Sequence, residues 1–160
     1  HDELLQVSII DEEGNVLFDS YFKPIRHTDW WEAESVNGIS PEMVADAPYI
    51  NEKAAELYAI LSQAHWIIGY NVDFDLRFLM GSDIITDEEY NAFRTEDVMI
   101  QFAEIYGEYS VYHEDYKWQK LTTAAAYYDY DWNVKGIEAH NSLADCFATL
   151  FVYHKILSGE

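Results

Sequence analysis

Two stretches of the 160-residue chain set chemically capable side chains at suggestive spacing. The first is GYNVDFDLRFL, Gly69 to Leu79, where Asp73 and Asp75 flank Phe74 among apolar residues. The second is HNSLAD, in which His140 and Asp145 stand five positions apart. Carboxylates are the hard oxygen donors that divalent cations prefer, and an imidazole exchanges protons near neutral pH. An unpaired carboxylate among apolar residues is expensive, so its presence needs a reason. Read as a strand, the first stretch turns Val72 and Phe74 inward and leaves both aspartates on the wet face. Read as a helix opening after Asn71, it forms a Phe74/Phe78 stripe with Asp75 at the edge, near the N-terminus. Taken singly, Asp145 reads as a solvated carboxylate in the first turn of a helix, where the helix dipole favours it. His140 then reads as a surface or capping histidine. Asp145 nevertheless has small neighbours (Asn141, Ala144, Ala148 and Thr149) that leave room for another backbone or a ligand.

These residues need elements to position them. LLQVSIID alternates, with Leu5, Val7 and Ile9 on one face, and predicts a strand. EEGN is a turn, and VLFDSYF returns as the second strand of a hairpin. Ser40 and Pro41 suit the N-cap and first position of a short helix. Asn51 opens a clearer helix with a stripe of Ala54, Leu57, Tyr58 and Leu61, and HWIIGY reads as a buried strand. TDEEYNAF predicts a short helix, whereas RTEDVMI is ambiguous between strand and turn. KLTTAAAYYDY carries Leu121, Ala125 and Tyr128 at helical spacing. The last helix runs from His140 to Leu157 on Leu143, Phe147, Leu150 and Phe151. Two strands followed by helix, strand and helices indicate an α/β domain with a mixed sheet.

Composition narrows the function classes. Apolar residues make up 49% and aromatic residues 16%, enough for one folded domain with its own core. No apolar run is long enough to cross a bilayer, no signal peptide is visible, and the single Cys146 fits a cytoplasmic location without a disulfide framework. Nine basic residues against thirty acidic ones give a net charge of −21. Nine scattered cations cannot assemble the basic track that follows a long duplex. The bland reading of this charge is a soluble acidic surface; the sharper ones are a divalent-cation site or a surface for a basic protein partner.

Taken together, the motifs resemble the DEDDh, or DnaQ-like, 3′–5′ exonuclease family. GYNVDFDLRFL and HNSLAD are similar to its second and third motifs, an Asn, two residues and Phe-Asp, then a His, four residues and Asp. NGISPEMVADAP resembles its His-Gly-Ile segment, with Asn37 where His is more usual, and KPIRHTDWWEAESVNGIS and KWQKLTTAAAYY extend the likeness over nearly the whole chain. The resemblance implies a ribonuclease H-like fold, an α/β domain whose mixed β-sheet is flanked by helices. It implies that Asp75 and Asp145 are metal-binding carboxylates, that His140 is the general base, and that Gly38 and Ile39 lie against the terminal nucleotide. Asp73 gains no role from it, and Asn71 and Phe74 are expected to fix the turn and pack in the core. The implied cofactors are two Mg²⁺ or Mn²⁺ ions, which stabilise the attacking and leaving oxygens of phosphodiester hydrolysis. The implied partners are 3′ ends of single-stranded DNA or RNA, which are shortened to nucleoside monophosphates in DNA replication or repair.

The family also carries an Asp-x-Glu pair on a strand ahead of the segment equivalent to ELLQVSII, and residues 1–160 do not include it. Asp2 and Glu3 are adjacent, so a strand would point them to opposite faces. That strand is central in the fold, and its absence would expose two sheet edges. The expectation is a single exonuclease-like domain over residues 1–160, lacking the first, central strand and belonging to a longer natural protein. Two rival readings are a catalytically inactive exonuclease-like binding domain and an acidic mimic of nucleic acid. The charge adds a further expectation. A −21 protein repels nucleic acid at long range, so short single-stranded ends must be held by local contacts and stacking. The Tyr-rich YGEYSVYHEDY segment is one stacking candidate, although its simpler reading is a solvent-facing loop.

Overall fold

The computed structural model describes residues 3–136 and 141–160. Gln6–Ile10 (β1) and Val16–Tyr21 (β2) form the expected antiparallel hairpin, with Gln6 opposite Tyr21 and a register shift at Ile10. Its turn is shaped by the Asp11 carboxylate, which accepts the backbone N–H groups of Glu13 and Asn15. Trp31–Asn37 (α1) buries none of its residues and closes on Gly38 in the left-handed conformation, φ 70°. The helix start expected at Ser40 and Pro41 is a single 3-10 turn, Glu42–Val44. A second 3-10 turn, Ile50–Lys53, feeds Ala54–Gln63 (α2), which buries Leu57 and Leu61.

Ile67–Gly69 (β3) leads into Val72–Gly81 (α3), then Asp87–Ala92 (α4), whose Thr86 and Glu89 form a reciprocal capping box. The ambiguous RTEDVMI resolves into Thr95–Asp97 (β4), parallel to β3, and the start of Val98–Tyr106 (α5). Tyr109–Ser110 (β5) and Asp115–Tyr116 (β6) make a small exposed hairpin. Leu121–Tyr127 (α6), a 3-10 turn Trp132–Lys135 and Ser142–Ser158 (α7) complete the described chain. The expected mixed sheet therefore occurs as an antiparallel pair and a parallel pair, with β1 and β3 each paired on one side among the described residues.

The largest core cluster joins Phe18 and Phe22 of the hairpin region to Leu57 and Leu61 of α2 and Val72, Leu76 and Leu79 of α3. A second gathers Val98, Phe102, Ala124 and Val152 from α5, α6 and α7. Two predicted helix faces require correction. In α3 the inward face is Val72, Leu76 and Leu79; Phe74 is 55% exposed, its ring 4.8 Å from that of Phe78 on the outer side. In α7 the buried residues are Ala144, Ala148, Thr149 and Val152, while Leu143, Phe147 and Leu150 are only half-buried. The physical reason is that α7 lies close against β1, so small side chains take the tight contact. The larger ones cover its flank, where Phe147 lies beneath the Lys135 ammonium and Leu150 borders the Gly14 turn.

Candidate active site

Helical periodicity places both candidate carboxylates. Asp75 shares the i, i+3, i+4, i+7 series of Val72, Leu76 and Leu79, so α3 turns it toward the interior side of the helix. Asp145 stands in the same relation to Ala148, Thr149 and Val152 on α7. The two helices come from distant parts of the sequence, yet their carboxylates lie within electrostatic reach of each other. Asp75 remains exposed to solvent. Enclosure by the surrounding protein, followed by the negative charges of Asp97 and Asp145, pushes its carboxyl up to about 7.

Asp97 was not anticipated. β3 and β4 run parallel and end side by side, with Gly69 opposite Asp97, and the carboxyl ends of parallel strands are where α/β folds gather ligands. Asp97 Oδ1 accepts the N–H of Asn71 at 2.9 Å and the N–H of Met99 at 3.0 Å. It thereby caps α5 and holds the β3-to-α3 turn with a single oxygen. Asn71 does fix that turn, in the left-handed conformation at φ 64°, ψ 51°, which asparagine tolerates better than most residues. The turn is tight: a Cβ at Gly69 would lie 3.0 Å from Val72 Cβ. The signal for Asp97 was present as an Asp before an apolar helical run, the N-cap pattern.

The N-terminus of α7 is bolted to β1. Asn141 caps the helix by accepting the Leu143 N–H at 3.0 Å, and the Ser142 N–H donates to Gln6 Oε1 at 3.1 Å. The Ser8 and Ser142 hydroxyls are hydrogen-bonded to each other. Cys146 Sγ donates to the Ser8 carbonyl at 3.3 Å. Burial, then Asp75, Asp145 and Asp19, push the Cys146 thiol up to about 12. A thiol held protonated is no nucleophile. Asp19 is a further acidic neighbour, and Ser8 Oγ donates to its carboxylate at 2.8 Å.

The remaining sequence candidates fall as follows. Asp73 faces solvent, pairing with Arg77 Nε at 2.8 Å and accepting a hydrogen bond from the Tyr90 hydroxyl. Gly38 is exposed at the end of α1. Ile39 is buried in a cluster with Leu5 and Val44, its N–H donated to Asn37 Oδ1 and its carbonyl accepting the Trp30 indole N–H. His140 lies outside the described residues. Among the described residues, no group of three or more His, Cys, Asp and Glu side chains is arranged to hold a metal ion. Beside Asp145 a groove of about 410 Å³ runs past Tyr70, Asn71, Met99 and residues 118–122. No described helix is long and apolar enough to cross a membrane.

Comparison with known proteins fits this geometry. The family described as RNase_T, Exonuclease, matches residues 2–153. An uncharacterized exonuclease, CP81, of Escherichia phage 186 is 29% identical over 163 residues, covering 98% of this chain and 81% of that protein. The 3′–5′ exonuclease DinG of Staphylococcus epidermidis is 32% identical over 82 residues, covering 49% of this chain and 9% of that protein. Among solved structures, exonuclease X in complex with 5′ overhanging duplex DNA superposes with a TM-score of 0.63 at 17% identity, covering 98% of this chain and 84% of that one. The shared architecture is the ribonuclease H-like fold.

Proposed function

Because the chain belongs to the RNase_T exonuclease family, we propose that it is a divalent-metal-dependent 3′–5′ exonuclease acting on single-stranded nucleic-acid ends and releasing nucleoside monophosphates. The observation that carries this reading is the convergence of Asp75 and Asp145, 70 residues apart in sequence, at one solvent-accessible site. Their chemistry suits Mg²⁺ or Mn²⁺, since two like-charged oxygen donors beside each other are a poor arrangement until a hard cation offsets them. When bound, the metal supplies charge compensation for the oxygens of the cleaved phosphodiester.

In this reading Asp75 and Asp145 hold the cation, and Asp97 keeps the turn before α3 in place. His140 takes the proton from the attacking water. Gly38 presents an exposed backbone surface to the terminal nucleotide, and Ile39 supports it from the core side. Residues 1–160 act as one exonuclease-like domain. The DinG relative carries the 3′–5′ description, which supports the direction, and the exonuclease X structure holds duplex DNA with a 5′ overhang, which supports nucleic acid as the substrate class.

The test uses a 5′-labelled single-stranded oligonucleotide with Mn²⁺. Stepwise shortening with the label retained and mononucleotides released is expected, and Asp75→Asn or Asp145→Asn should each reduce the rate by about a hundredfold or more. Hydrolysis indifferent to both substitutions would overturn the site. A melting temperature unchanged by Mn²⁺ together with a nucleoside monophosphate would show that the site does not assemble. Stabilisation without product release would instead favour an inactive binding domain.

A further inference from the structure

We propose that the groove beside Asp145 is a subsite for the nucleotide next to the one released, with Trp118 as the stacking face for its base and Lys120 as the cation for its phosphate. The inference rests on the exonuclease reading and adds to it a second recognition point. Trp118 is 63% exposed, a large apolar surface left open to water. Its exposure is not that of a loose loop, because the segment carrying it is pinned on both sides. The Lys117 N–H donates to the Glu108 carbonyl at 2.8 Å, and the Lys117 ammonium pairs with the Glu108 carboxylate at 2.7 Å. The Tyr70 hydroxyl donates to the Gln119 carbonyl at 2.7 Å, tying the segment to the end of β3. An indole carried on a pinned backbone at the wall of a groove is a stacking platform that costs little backbone freedom on binding.

The charge pattern selects the occupant. Most of the nine Lys and Arg residues are engaged: Lys53, Arg77, Lys117 and Lys155 in ion pairs, and Lys23, Arg94 and Lys135 over aromatic rings. Among the described residues, Lys120 and Arg26 have neither kind of partner, and Lys120 lines the groove that Asp145 also lines. In a chain of net charge −21, an unengaged cation two residues from an exposed indole matches the alternation of phosphate and base along a strand. Repulsion at long range makes such short-range contacts the means of capture. A ring and a cation next to a candidate metal carboxylate suit a nucleotide better than an apolar protein segment.

The test compares wild type, Trp118→Ala, Trp118→Phe and Lys120→Ala. Binding of 5′-fluorescein-labelled tetrathymidylate is followed by anisotropy in Mn²⁺. Hydrolysis is followed on the same oligonucleotide and on the p-nitrophenyl ester of thymidine monophosphate, which has no second base. Trp118→Ala should weaken tetrathymidylate binding about tenfold, and its loss in kcat/KM should be far larger on the oligonucleotide than on the ester. Trp118→Phe should recover most of the loss, and Lys120→Ala should weaken binding more at low salt than at physiological salt. Equal losses on both substrates, or tetrathymidylate binding unchanged in Trp118→Ala, would overturn the subsite. Wild type that cleaves neither substrate would count against the exonuclease reading, and the anisotropy series would still decide the subsite.

Discussion

Replacing Asp97 by alanine and by asparagine separates what its charge does from what its oxygen holds. Both hydrogen bonds converge on Oδ1, from Asn71 at 2.9 Å and Met99 at 3.0 Å. Alanine deletes the acceptor, uncaps α5 and leaves two backbone donors in a largely enclosed setting. A lost cap costs about 1 kcal/mol, and a backbone donor deprived of its partner costs roughly 1–3 kcal/mol. Release of like-charge repulsion on Asp75 offsets a part, so Asp97→Ala should destabilise the domain by about 2–4 kcal/mol. Asparagine retains an oxygen at the same place and removes only the charge, so Asp97→Asn should stay within about 1 kcal/mol of wild type. Urea unfolding followed by circular dichroism measures both. In the asparagine variant the Asp75 carboxyl should also titrate at lower pH, read by carboxyl carbon NMR. If Asp97→Asn is as destabilising as Asp97→Ala, or Asp97→Ala costs less than about 1 kcal/mol, the clamp at the end of β4 is not what holds this turn.

Three further expectations follow from the same geometry. Asp75 has a folded-state pKa raised from 3.8 to about 7, so its contribution to metal-free stability is fully present below pH 3.8 and lost as pH rises through about 7. Metal-free melting should therefore favour wild type over Asp75→Asn less at pH 8 than at pH 5, while Mn²⁺ affinity measured by calorimetry rises through pH 7; a flat affinity profile would contradict the assignment. Gly69→Ala puts a Cβ 3.0 Å from Val72 Cβ and 3.3 Å from Val72 Cα, so unfolding should show a loss of about 1–3 kcal/mol. Finally, with a net charge of −21, moderate monovalent salt should depress oligonucleotide affinity little or raise it, and a steep fall between low and physiological salt would refute local capture.

Much of the frame could be read from periodicity, because local pattern and final packing agree there. The β1–β2 hairpin and α4, with its Thr86–Glu89 box, are examples. Asp75 could be picked out by motif, although the stripe beside it was assigned to the wrong side. Phe74 and Phe78 are the larger apolar residues, yet Val72, Leu76 and Leu79 face the core. The same inversion on α7 has the same origin: hydrophobic size marks a stripe, whereas close approach to β1 selects Ala144 and Ala148. α1 carried no signal, since it buries nothing. Asp97 joins the site only through the parallel pairing of β3 with β4, a long-range contact that a linear pattern does not encode.

The hydrogen-bonded Cys146 has a practical corollary. It is the chain's sole sulfhydryl, and its thiol remains protonated well beyond physiological pH, so maleimides and peroxide should pass it by. The unmodified protein thus offers a silent background for attaching a spectroscopic probe. A cysteine introduced on an outer helix, such as Glu88→Cys on α4, would take the dye alone, with the contacts around Ser8 left intact.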